Sequence, residues 1–242
     1  MDVQSAPSEP KLALVDADFL VYRIGFADKD ASEGIAKSRL TKLLIDIVYE
    51  KLKADDYKAW ITGKNNYRYE LAKTVPYKGN RKDMEKPPHY EALREHLLRL
   101  VAVMTDGDEA DDAVAEASVE GGWIVHVDKD LNQLPGWHYN PVKDEKYYVT
   151  EEEGHRSFYT QLLTGDRIDN ILGLDGIGPK KAEKILKDCK TELEMYEAVK
   201  AAYEKNGVSH ERLLESGNLL WLRRKKGQLY QPPSSLQDVN GK

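Results

Sequence analysis

The chain has 242 residues, enough for one large domain or a domain with a small satellite, and too few for two large ones. Its hydrophobic fraction of 40% is ordinary, and no apolar run approaches the roughly 20 residues that span a bilayer, which points away from a membrane protein. Asp and Glu total 42 against 36 Lys and Arg, and the net charge of -6 argues at face value against a polyanionic partner.

The opening MDVQSAPSEP is polar, lacks a secretion-signal pattern, and is expected to be disordered over 1–10. KLALVDA, Lys11 to Ala17, reads as a buried parallel strand that ends at Asp16. From Ala36 to Ala54 the residues Leu40, Leu43, Leu44, Ile47, Val48 and Leu52 recur at helical spacing, and YKAWIT then reads as a second strand. After the polar stretch YKGNRKDMEKPP come a helix in HYEALREHLLRL, a strand in VAVMT, a helix in DEADDAVAEASVE and a strand in WIVHVD. Strands alternating with helices imply an α/β fold with a mostly parallel sheet, whose ligands gather at the carboxyl ends of the strands. Beyond Asn140 the pattern is helical, in EEEGHRSFYTQLL and from Lys180 to Leu214, with a Gly-rich break between them. Cys189, the only cysteine, has no partner for a disulfide, which suits a reducing, cytoplasmic location.

Acids recur at expected strand ends and helix starts: Asp16, then Glu109, Asp111 and Asp112, then Asp128 and Asp130, then Asp166 and Asp169. Singly, EADD reads as a solvated helix start and DKD or DRID as a turn. Together the eight are expected to converge on one site, and cations bound there would offset the acidic balance. In GDRIDN the spacing of Asp166 and Asp169 would aim both at one cation if the turn is helical. Oxygen donors without Cys or a His pair suit Mg²⁺ or Mn²⁺. Two such ions are a standard solution for phosphodiester hydrolysis. His126 is read as a core histidine.

VDADFLVYR, YKGNRK, GDEADDAVA, VDKDLNQL and LLTGDRIDNILGLDGIGPKKAEKIL, taken in this order over Leu12 to Leu186, resemble the motifs of the 5′ nuclease family of flap endonucleases and 5′-3′ exonucleases. That resemblance implies a PIN-like core, a two-metal site, and cleavage of DNA near 5′ ends, flaps or single-strand/duplex junctions. It implies that the eight acids above hold the metals, and that Lys78 and Arg81 reach the scissile phosphate. Lys82 adds DNA-binding charge, and Tyr77 beside them is expected to stack on a terminal base. Asp18 either supports the metal ligands or caps the next helix. The short spacing after YKGNRK disfavours a closed threading arch and suggests a flexible basic flap from Lys78 to Pro88.

LDGIGPKK resembles a helix-hairpin-helix, in which backbone N–H groups at Gly176 and Gly178 meet a DNA phosphate while Lys180 and Lys181 add charge. Family members often hold K⁺ on the hairpin carbonyls. The expected organisation is a disordered start over 1–10 and a PIN-like core over 11–164, with a basic flap over 77–90. A helix-hairpin-helix subdomain with C-terminal helices follows over 165–225, and a flexible tail over 226–242. A monomer acting on DNA is expected, with RNA–DNA hybrids as further substrates. The competing readings are a non-catalytic DNA-junction-binding protein and a PIN-like or RNase H-type ribonuclease.

Overall fold

The apolar run Ala13, Leu14 and Val15 is fully buried, which requires cover on both faces of the strand that carries it. That strand, β1 (Leu12–Asp16), lies inside a six-stranded sheet; the structure is a computed structural model that describes residues 7–27, 29–81 and 84–234. With β2 (Asp56–Lys64), β3 (Val103–Asp106), β4 (Trp123–Val125), β5 (Gly136–Asn140) and β6 (Glu145–Val149), the order is β3-β2-β1-β4-β5-β6. All neighbours are parallel except β5 and β6.

On one face Ala13 and Val15 join a core with residues of α1 (Asp18–Ala27), α2 (Glu33–Ile45) and α4 (Tyr90–Arg99). Leu14 points the other way by strand alternation, and α5 (Ala110–Ser118) packs on β1 and β2. The chain leaves β1 toward β2 and β3 on one side and later enters β4 on the other. The order therefore reverses between β1 and β4, where α/β sheets open a crevice at the carboxyl ends. Register sets Val15 beside Val125, so Asp16 ends one wall of that crevice and the residues after Val125 begin the other.

Two strands of this sheet, β5 and β6, are additional to those read from the sequence. The segments of β5 and β6 are short and rich in aromatic residues, and they are held by cross-strand pairs: Trp137 with Tyr148, and His138 stacked on Tyr147. Residues Pro7 to Pro10, expected to be disordered, are fastened by Trp137 Nε1 donating to the Pro7 carbonyl (2.9 Å) and Trp123 Nε1 to that of Pro10 (3.1 Å). Residues 1–6 of that expected start lie outside the described residues.

The chain divides into two compact units, residues 1–66 with 85–149, and residues 67–84 with 150–242. The units divide before α6 (Glu151–Thr164), between 149 and 150, where the sequence reading set a boundary after 164; α6 packs on α7 (Pro179–Leu186), α8 (Glu192–Lys205) and α9 (His210–Leu220). Residues 67–84 contribute α3 (Arg68–Leu71) to this second unit, where Arg68, 1% exposed, donates to the carbonyls of Leu219 and Trp221 at the end of α9. The described part of the expected tail is also held: Tyr230 is buried between Phe158 and Trp221, with its hydroxyl 3.1 Å from that of Tyr159. Residues 235–242 lie outside the described residues. Among the described residues no helix is long and apolar enough to cross a membrane.

Between α6 and α7 the chain forms a two-stranded hairpin, β7 (Gly165–Asp166) and β8 (Ile171–Leu172). A Cβ on Gly165 would stand 2.2 Å from the Gly173 nitrogen, and one on Gly173 would stand 2.2 Å from the Thr164 carbonyl carbon. Only two glycines allow this backbone crossing. Gly173→Ala should therefore cost about 1–3 kcal/mol or more, read as a lower Tm in thermal denaturation; an unchanged Tm contradicts the crossing.

Candidate active site

Asp16 closes β1 at 6% exposure, and its Oδ1 accepts the Asp18 backbone N–H at 3.2 Å. Asp18 begins α1 and is held from two sides: Oδ2 accepts the Thr62 N–H (2.9 Å) and Oδ1 the Arg94 guanidinium (3.1 Å). Arg94 also donates to the Thr62 carbonyl and is nearly buried, so Asp18 carries its counter-charge with it. The Asp18 carboxylate is thus engaged by Thr62 and Arg94, and it is the Asp18 backbone N–H that meets Asp16.

Glu109 caps α5 and Asp112 returns the bond, its Oδ2 accepting the Glu109 N–H at 3.2 Å. Thr62 Oγ1 accepts the N–H of Ala110 at 3.0 Å, which ties this helix start to β2. Glu109 is 7% and Asp112 2% exposed, while Asp111 in the same first turn is half-buried. The positive end of α5 favours this density of negative charge.

Past β4, Asp128 caps a 3₁₀ turn over Lys129–Gln133 by accepting the Asp130 N–H at 3.0 Å. Its carbonyl meets His126 Nδ1. His126, buried as the sequence suggests, faces His138 across a 2.8 Å nitrogen–nitrogen contact, and His138 Nε2 donates to the Leu134 carbonyl at 2.8 Å. Burial pushes His126 down to about 4 and His138 to about 3. This support for Asp128 was hidden in the sequence because His138 lies on a strand that periodicity does not reveal.

Burial, followed by the charge of Asp18, raises the Asp16 carboxyl well above its ordinary value, and Asp128 and Glu109 push it the same way. Burial also raises Asp18, against the hydrogen bonds from Thr62 and the charge of Arg94. The four carboxylates thus share one field. Among the described residues no group of three or more His, Cys, Asp or Glu is arranged to hold a metal ion as it stands. The first unit's acids repel one another without closing around a point. An oxygen-only set under such repulsion fits a hard divalent cation, which would draw the side chains inward. Asp16, Asp18 and Asp128 line a cavity of about 520 Å³ with Tyr22, which the sequence reading did not single out, and Phe19. Tyr22 is 39% exposed beside the acids.

Asp166, which ends β7, and Asp169, on the turn that leads to β8, belong to the second unit. The turn is a hairpin, where the sequence reading allowed a helical one, because the Gly165–Gly173 crossing pairs its flanks. Asp166, 2% exposed, accepts the N–H groups of Ile168 (2.7 Å) and Asp169 (3.1 Å) on Oδ1. Asp169 accepts the Tyr77 hydroxyl at 2.7 Å and the Arg81 guanidinium, and Lys78 Nζ is 3.7 Å away. Tyr77 is 3% exposed with its ring against Tyr69, so it presents no face for base stacking in this structure. The expected flap is docked over 77–81, where Asn80 donates to the Arg167 carbonyl (2.7 Å) and Arg81 Nε to that of Ile168 (3.0 Å). Lys82 lies outside the described residues.

The hairpin before α7 turns with an Ile177 N–H to Leu174 carbonyl bond (3.1 Å) and Gly176 at φ +69°. Pro179 opens α7, and Gly178 caps it by accepting the Lys181 and Ala182 N–H groups on its carbonyl at 3.0 Å. Lys180 and Lys181 occupy the first turn and are exposed.

No model of a protein family matches the chain. It is 30% identical over 201 residues to the flap endonuclease Xni of Shewanella putrefaciens, covering 75% of this chain and 76% of that protein. It is 32% identical over 211 residues to DNA polymerase I of Bacillus caldotenax, covering 73% of this chain and 23% of the polymerase. The chain spans a quarter or less of the DNA polymerases I it matches. Among solved structures, a T5 5′-exonuclease with zinc bound aligns at TM-score 0.62 and 18% identity, covering 86% of this chain and 89% of that one. A bacteriophage T5 flap endonuclease with DNA and metal ions aligns at TM-score 0.60, also at 18% identity and with the same coverage. These likenesses establish a PIN-like α/β fold. The chain belongs to the 5′ nuclease family.

The raised Asp16 carboxyl makes the metal-free site a cost to folding at neutral pH. Its contribution to stability is complete below the ordinary aspartate range and is lost as pH rises through the raised value. In EDTA at neutral pH, Asp16→Asn should therefore melt above the wild type, by roughly 2–4 °C for each kcal/mol relieved. The gap should shrink on acidification; a lower Tm for the variant at neutral pH contradicts the repulsion.

Proposed function

We propose that the chain is a metal-dependent 5′ nuclease that hydrolyses DNA phosphodiesters at 5′ ends, flaps or single-strand/duplex junctions by a two-metal mechanism. The observation that carries this reading is the shared field of Asp16, Asp18, Glu109 and Asp128 at the strand-order reversal, where a sheet of this topology binds its ligand. Support comes from relatives named as flap endonuclease and as 5′-3′ exonuclease.

Asp16, Glu109, Asp111, Asp112, Asp128 and Asp130 are the carboxylates of the first unit that would hold Mg²⁺, with Mn²⁺ as a substitute, and Asp166 and Asp169 are those of the second. Asp169 also meets the Tyr77 hydroxyl and the Lys78 and Arg81 cations. Bound divalent ions supply an activated water and charge stabilisation for the leaving oxygen. Arg94 holds Asp18 behind Asp16, and the α5 capping box holds Glu109 and Asp112 at their helix start. Lys78 and Arg81 bring positive charge to the phosphate, a role that suits an ammonium point charge and a planar guanidinium. Gly176, Gly178, Lys180 and Lys181 contact the duplex backbone, and the hairpin carbonyls near Gly176 are a K⁺ site. Tyr22 offers an aromatic face beside the acids.

With 5′-labelled flap, nicked and blunt DNA in Mg²⁺, Asp128→Ala should cut hydrolysis by more than the ~100-fold typical of a lost supporting group, while binding in Ca²⁺ persists. Lys180→Ala with Lys181→Ala should chiefly weaken duplex binding and flatten its salt dependence. Undiminished cleavage by Asp128→Ala refutes the metal assignment. RNA–DNA hybrids in the same assay decide whether they are also substrates.

A further inference from the structure

In the first unit, β2 and β3 run parallel with Ile61 beside Met104 and Lys64 beside Asp106, so Thr62 and Gly63 together face the single residue Thr105. The extra residue makes a bulge, a feature that re-aims a side chain and recurs next to active sites. Gly63 makes room for it: a Cβ there would stand 1.8 Å from the Thr105 carbonyl oxygen, and the Gly63 N–H donates to the Thr105 hydroxyl at 3.2 Å. Both threonines turn to the loop that enters α5. Thr105 Oγ1 donates to the Asp108 carbonyl (2.6 Å), and Thr62 Oγ1 accepts the Ala110 N–H (3.0 Å). Glu109 is thus held by bonds to the residues on either side of it. Ala110 is fully buried and opens α5, where an N–H has no carbonyl of its own helix to meet. A hydroxyl 48 positions away supplies the acceptor.

Thr62 has further partners at the end of β1. Its N–H donates to Asp18 Oδ2 at 2.9 Å, its hydroxyl donates to the same carboxylate, and its carbonyl accepts the Arg94 guanidinium. Asp18 in turn donates its N–H to Asp16. Every polar group of Thr62 is in use, on one bonded path from Asp16 through Asp18 to the first turn of α5.

We propose that Thr62 and Thr105 are positioning residues that clamp Glu109 at the start of α5 and, through Thr62, register it against Asp16 and Asp18. This rests on the nuclease reading above, in which these acids hold divalent ions. Carboxylates that repel one another separate unless their backbones are tied. Hydroxyls tie them without adding a charge that competes with the metal. Threonine suits the task because its χ1 is restricted and its hydroxyl donates and accepts at once.

The test compares Thr62→Val, Thr62→Ser and Thr105→Val. It uses Mn²⁺ titration calorimetry, single-turnover cleavage of flap DNA and, in EDTA, amide hydrogen exchange over 107–113 and thermal melting. Val keeps the shape and removes the hydroxyl, whereas Ser keeps the hydroxyl. Thr62→Val should weaken Mn²⁺ binding and slow cleavage by about 10–100-fold, as for the loss of an orienting partner. It should speed exchange over 107–113 about tenfold. Thr62→Ser should stay within about threefold of the wild type in binding, cleavage and exchange, and Thr105→Val should act in the same direction as Thr62→Val. A lower Tm for Thr62→Val with wild-type Mn²⁺ affinity and cleavage makes the hydroxyl structural only and overturns the proposal. Equal losses in Thr62→Val and Thr62→Ser overturn it too, as does weaker Mn²⁺ binding with unchanged exchange, which would put the hydroxyl on the metal rather than on the loop. If the wild type binds no Mn²⁺ and cleaves no DNA, the nuclease reading fails, while faster exchange in Thr62→Val still supports the clamp and unchanged exchange overturns it. Should Thr62→Val fail to fold, Thr105→Val decides, and wild-type Mn²⁺ affinity or exchange in that variant overturns the proposal.

Discussion

Mutual repulsion among carboxylates at the carboxyl edge of the sheet is the constraint around which the first unit is arranged. A buried Asp16 within reach of the charges of Asp18, Asp128 and Glu109 is unfavourable in the absence of a cation. The surroundings offset this only in part, through the Arg94 guanidinium on Asp18 and the positive end of α5. Such a cost is tolerated where it performs work, and the work that fits oxygen donors under repulsion is holding hard divalent cations.

The fold explains why those acids meet. Parallel strands in the order β3-β2-β1-β4 set the ends of β1 and β4 side by side, and the reversal of direction between them opens the crevice. The two units treat their acids differently. Those of the first share a field with one neighbouring guanidinium, whereas Asp166 and Asp169 are wrapped in N–H, hydroxyl and cationic donors. The first arrangement is poised to change on cation binding. In the second, Asp166 is bonded within the turn and Asp169 to Tyr77 and Arg81.

Much of this was legible in the sequence because it depends on local period and on where acids fall within it. The strand Leu12–Asp16, the helices α2, α5, α6 and α8, and the placing of Asp16, Glu109 and Asp128 at element ends follow from spacing alone. Long-range packing was not legible. Tyr77 stands beside basic residues in sequence, yet its ring lies in the second unit's core, and only the fold shows that its hydroxyl meets Asp169. GDRIDN has helical spacing of its acids but turns as a hairpin, since two glycines allow the chain to cross itself. β5 and β6 escaped because short aromatic strands pair through contacts between strands rather than through a strong apolar run. Residues 7–10 look disordered in composition, and two indole N–H groups more than a hundred positions away tie them down.

Anomalous diffraction from a crystal soaked in Mn²⁺ tests the central claim most directly. The account predicts an anomalous peak on the order of 2 Å from oxygens of Asp16 and Asp128, with the side chains drawn closer than in the metal-free protein. Peaks confined to other surfaces, with Asp16 and Asp128 bare at saturating Mn²⁺, would contradict it.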